Sequence, residues 1–198
     1  MANQVEIEEV NYPHEYIWRS ACELLKYAET QHAVSYYFLL SSLLMYFMAY
    51  EAFLNYCGHS LRPELWEHEK ANFKDKGMEG KLKAIIGKLP DFSWRKHERP
   101  YITILKLNEY RDLVAHGKVV SYKYQTMRAA DGIDFKFAMP WDEYITIEYA
   151  AMAKNDIKNF CQSILIEMRK ISDHHLHLIH DAFEGSLGSA IGSDVLIK

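Results

Sequence analysis

The sequence predicts an all-α fold: an up-and-down helical bundle of four to five main helices with a small inserted β-hairpin at about residues 119–138. Three observations carry this. Apolar residues recur every three to four positions over most of the chain. Residues 33–50 are 18 positions without a charge, as expected of a helix buried on nearly all sides. Apolar–polar alternation sets in only after Gly117, over a stretch that suits two short strands.

Residues 1–10 read as a loose arm. A first helix is predicted over about 12–29, with Ile17, Leu24, Leu25 and Ala28 on one side. A second is predicted over about 33–57, stopped by Gly58 as a natural C′ residue. Pro63, at a first helical position, starts a short helix to about Ala71. Residues 81–89 form another, ended by Pro90. Pro100 suits the first turn of the next helix, which carries Ile104, Leu107 and Val114 as its apolar stripe and ends at Gly117. Tyr122 and Tyr124 alternate with Ser121 and Lys123, and Phe135 and Phe137 with Asp134 and Lys136. The turn-forming Ala129-Ala130-Asp131-Gly132 lies between them, which makes the hairpin. Thr146 is an N-cap for a last long helix over about 147–183, and residues 185–198 read as a loosely held tail. No repeat or linker divides the chain, so residues 1–198 are expected to form a single domain.

Composition narrows the function classes. A chain of 198 residues with 14 Tyr can bury a sizeable core without staples. Its cysteines are Cys22, Cys57 and Cys161, an odd number with no close spacing, which argues against a disulfide framework or a Cys-rich zinc site. Reduced core thiols, and hence a cytoplasmic location, are expected. The acidic N-terminus lacks the basic and apolar regions of a signal peptide. The uncharged run holds three Ser and four Tyr without basic flanks, so no membrane insertion is expected. Net charge is −4, yet residues 70–128 carry 14 Lys or Arg against 6 Asp or Glu, leaving 9 against 21 elsewhere. Such asymmetry allows a basic face on an acidic chain.

The chemistry concentrates near the end of the Pro100 helix. Arg111 sits at the spacing of Ile104, Leu107 and Val114, where a permanent charge is costly without an anionic partner. Asn108, Asp112 and His116 repeat every four residues one face over. His116 lies in the last turn, where the helix dipole favours positive charge. An Arg and a His suffice for RNA cleavage when the 2′-hydroxyl is the nucleophile: the His moves protons and the Arg fork stabilises charge building on phosphate. Spacing alone is weak, because Arg62 with His68 and Arg169 with His174 match a similar pattern. Only the Arg111 match has a following Asp, an apolar stripe before it and a closing Gly.

The segment 101–118, with its core Leu107-x-x-x-Arg111-Asp112-x-x-x-His116-Gly117, resembles the last conserved helix of HEPN domains. Tyr50-Glu51-Ala52-Phe53-Leu54-Asn55 resembles that family's earlier helix, with an acidic residue and an Asn one turn apart. The resemblance spans about residues 33–171. It implies a metal-independent endoribonuclease acting as a homodimer, with two such motifs in a shared cleft. Arg111 would then stabilise the transition state and His116 act as acid or base. Asp112 would position its neighbours and Glu51 hold Arg111, with Asn55 and Asn108 in support and Lys118 contacting substrate. Relatives act as toxins or in phage defence beside an antitoxin such as a minimal nucleotidyltransferase. In the group paired with nucleotidyltransferases the residue two after the His is a modified Tyr, whereas this chain has Lys118. Some HEPN domains are inactive and serve for binding or scaffolding, which is the alternative reading.

Other clusters have plainer explanations. Asp173, His174, His175, His177, His180 and Asp181 read as a solvated helix end rather than a metal site. Trp18, Trp66, Trp94 and Trp141 read as packing anchors. Without a glycine-rich phosphate loop, no nucleotide cofactor is expected, and no other cofactor is called for.

Overall fold

The computed structural model of the chain describes residues 7–11, 13–117, 121, 139–171, 181–183 and 193–197. Among them lie seven helices in a bundle: α1 (Pro13–Thr30), α2 (Ser35–Leu61), α3 (Pro63–Trp66), α4 (Glu69–Phe73), α5 (Gly77–Ile86), α6 (Tyr101–Ala115) and α7 (Ile147–Ile171). The backbone of β1 (Ile7–Asn11) pairs antiparallel with β2 (Ser193–Ile197), Ile7 opposite Ile197. Both ends read as loose from the sequence therefore carry regular backbone within the described residues. The hairpin expected at 119–138 lies outside the described residues, Ser121 excepted.

The uncharged run becomes the hub. α2 packs against α1, α3, α5, α6 and α7, and α7 also meets α1 and α6. Its Leu43, Tyr46, Phe47, Tyr50, Phe53, Leu54 and Cys57 are fully buried. By length and composition the stretch His32–Leu61 could cross a membrane, but in this fold half of its most apolar window is covered by its own chain. Trp18 and Trp66 are buried, with Trp94 and Trp141 packed at the margin of the same core. Cys57 and Cys161 are buried and all three cysteines are free. Burial pushes the Cys57 and Cys161 thiols well above their ordinary range, which makes them poor nucleophiles.

Gly58 does not end α2. The helix continues to Leu61, and the Trp66 indole lies against Gly58 about where a side chain would begin: a Cβ there would stand 2.0 Å from the ring. The glycine is needed for close approach rather than for a turn. The helix stops instead at Arg62, because Pro63 opens α3. The short helix expected from Pro63 to Ala71 is two helices, α3 and α4. Thr146 caps α7 as its sequence position suggests, its Oγ1 accepting from the Tyr149 amide at 3.0 Å. The described part of α7 ends at Ile171, so Phe183 does not extend it: residues 181–183 are bent. Phe183 folds back to stack on Trp18, ring centroids 4.1 Å apart, and is fully buried. Ala182 N–H donates to Gln162 Oε1 and Lys158 pairs with Asp181 at 3.0 Å, which fixes the segment on α7.

Candidate functional site

Arg111 sits on α6 where that helix crosses α2. Ile104 and Leu107 on its stripe are fully buried, and its guanidinium lies over the Phe47 ring of α2, 5.2 Å from the centroid. Nη1 pairs with Asp112 Oδ1 at 2.8 Å. Nη2 donates to Asn108 Oδ1 at 3.2 Å and to Glu51 Oε1 at 3.5 Å. Asp112 thus supplies the near anionic partner that an arginine on a core stripe requires, and Glu51 a more distant one. Both partners of that pair are about one-third exposed, so the long contact to Glu51 stabilises little. Nε is buried and has no hydrogen-bond partner among the described residues. Being buried, Nε is closed to an incoming acceptor, so only the terminal nitrogens of Arg111 could meet one.

Of the residues picked from the sequence, four come together here: Arg111, Asp112, Asn108 and Glu51. Asn55 stands one turn from Glu51 but serves a neighbouring cluster. Its Oδ1 accepts from Trp66 Nε1 at 3.2 Å and from Lys81 Nζ at 2.9 Å, and Lys81 also donates to Glu69. His116 is the C-cap of α6, its N–H bonded to the Asp112 carbonyl, and it is exposed. Five residues along an α-helix turn roughly 140° about its axis. Arg111 and His116 therefore do not share a face of α6. Lys118 and His174–His180 lie outside the described residues.

Arg111 and Glu51 open onto a groove of about 400 Å³ whose other wall is α4, the start of α5 and Lys81. This wall was not singled out from the sequence. The signal was present in the basic excess of residues 70–128, but charge counts give no direction in space. Sequence reasoning also missed a buried carboxylate between α6 and α7. Asp156 accepts two hydrogen bonds from Arg99, at 2.7 and 2.9 Å, and one from Thr103 at 2.5 Å. Nothing in the sequence links positions 57 apart.

His14 is a second sequence-silent site. It is buried at the start of α1 among Phe53, Tyr56 and Phe183. Burial lowers its pKa to about 4, against a hydrogen bond to the Ala182 backbone that works the other way. Compared with models of protein families, with curated proteins and with solved structures, the chain matches none.

Proposed function

We propose that this protein is a HEPN-type endoribonuclease that acts on RNA as a homodimer, with Arg111 and His116 as its catalytic pair. The observation that carries the reading is the anchored arginine: Glu51, Asn108, Asp112 and Phe47 hold its position at the edge of an open groove. His116, exposed at the end of the same helix, is free to meet a substrate. In the reaction the 2′-oxygen attacks the adjacent phosphorus as a base takes its proton. The P–O5′ bond then breaks and an acid protonates the departing 5′-oxygen, leaving a cyclic phosphate and a 5′-hydroxyl. One chain brings one His116, whereas the reaction needs a base and an acid. Two chains facing each other supply both, and also bring an Arg111 toward a His116 that its own helix turns away from it. Tyr37, Leu44 and Met48 follow one another along a face of α2, with Tyr37 and Met48 exposed, and offer an apolar surface for the second copy. A cytoplasmic setting suits the free thiols, and a toxin or phage-defence role with an antitoxin or nucleotidyltransferase partner follows from the same resemblance.

The experiment compares wild type, Arg111→Ala and His116→Ala on RNA in the presence of chelator, with mass measured by light scattering. The wild type is expected to cleave as a dimer, and each variant to lose at least about 100-fold in rate, the usual size of a lost proton-transfer group for His116 and of a lost charge-stabilising donor for Arg111. An inactive wild type rules out the enzyme. One observation favours the silent-binding alternative: Glu51 and Asp112 of the same chain already answer the Arg111 charge. RNA binding without cleavage in all three proteins would select it.

A further inference from the structure

We infer that the groove between α4, α5, α2 and α6 is a binding site for the phosphodiester backbone of single-stranded RNA, with Lys70 and Lys74 as its principal phosphate contacts. The inference rests on the RNA reading of Arg111 and names where the strand lies. Four cations line the groove (Lys70, Lys74, Lys81 and Arg111) against two carboxylates, Glu51 and Glu69. The carboxylates are both engaged: Glu69 accepts from Lys81, and Glu51 from Arg111. Lys70 and Lys74 are exposed and have no ion-pair partner among the described residues, so their charge is directed at whatever enters. They stand one helical turn apart at α4 and its C-cap, on a common face. Phe73 and Met78 form an apolar floor between the cations. A volume of about 400 Å³ admits a single nucleotide unit, with its base against that floor and its phosphate among the lysines. The groove also ends at Arg111, so a strand seated in it runs directly to the proposed scission point.

A short labelled single-stranded RNA provides the test. Its binding is followed by fluorescence anisotropy between low and physiological salt for three proteins: wild type, K70Q/K74Q, and R19Q/K26Q. The last removes the same charge from exposed positions on α1, outside the groove. Loss of two phosphate contacts on a single strand lowers the slope of log affinity against log salt by roughly 1.4 in magnitude. The expected result is that shallower slope, with an affinity loss on the order of 10-fold, in K70Q/K74Q alone. Equal losses in both variants, or wild-type binding by K70Q/K74Q, overturns the groove while leaving the RNA reading intact. Wild type that fails to bind RNA at low salt overturns both.

Discussion

At the scale of single residues, the chain places charge where its neighbours decide the outcome. Arg111 could be picked out from sequence because a guanidinium on an apolar stripe demands an explanation, whereas Glu51 was singled out only through the resemblance of its segment to the earlier HEPN helix. The resemblance implied their partnership, and the fold supplies its geometry, a long contact of 3.5 Å. His14 gave no such signal: a histidine in the first turn of an amphipathic helix is ordinary until Phe183, 169 residues later, closes over it. Its folded pKa, about 4, lies below the ordinary 6.5, so folding favours the neutral ring. The associated stability is complete above pH 6.5 and is lost as pH falls from there toward 4. The difference corresponds to about 3 kcal/mol. Urea unfolding at pH 7 and at pH 4.5 should therefore show a gap in midpoint that narrows in His14→Phe. An unchanged gap would mean that other groups cause the acid sensitivity.

Elements were legible where their signals are local. The Pro63 and Pro100 starts and the Thr146 cap depend on residues within a turn of the boundary, and each boundary falls within a residue or two of its predicted place. Gly58 shows the opposite case. The C-cap signal of a glycine is local, but the Trp66 ring that needs the missing Cβ arrives from the next helix. Gly58→Ala must displace a buried indole, and overpacking of this kind costs about 1–3 kcal/mol, partly offset by the roughly 1 kcal/mol that alanine gains inside a helix. The variant should melt below wild type. In a Trp66→Ala background the same substitution should become neutral or stabilising, because only the gain in helix propensity remains. Additive effects of the two changes would refute the contact as the reason for the glycine.

For the whole molecule, hydrophobic periodicity pointed to a helical bundle and charge counts to a basic segment in an acidic chain, and the structure is a helical bundle. Composition could not show that the basic segment folds against α2 so that part of its charge meets Glu51 and Glu69 at one groove. That convergence depends on a short connection, since α3 and α4 turn the chain back toward α5 and carry Lys70 and Lys74 to the mouth of the groove. The same connection ties the groove to a chromophore. Lys81 in the groove wall holds Asn55, and Asn55 holds the indole N–H of Trp66. A phosphate that draws Lys81 toward itself loosens that chain of bonds and changes the surroundings of the indole. Trp66 is then a built-in optical reporter: RNA should alter tryptophan emission in the wild type, and in Trp66→Phe the change should vanish while anisotropy still registers binding. Emission that responds equally without Trp66 would place the ligand elsewhere. If the response is Trp66's own, occupancy of the groove can be followed in real time without a label, separately from any cut made at Arg111.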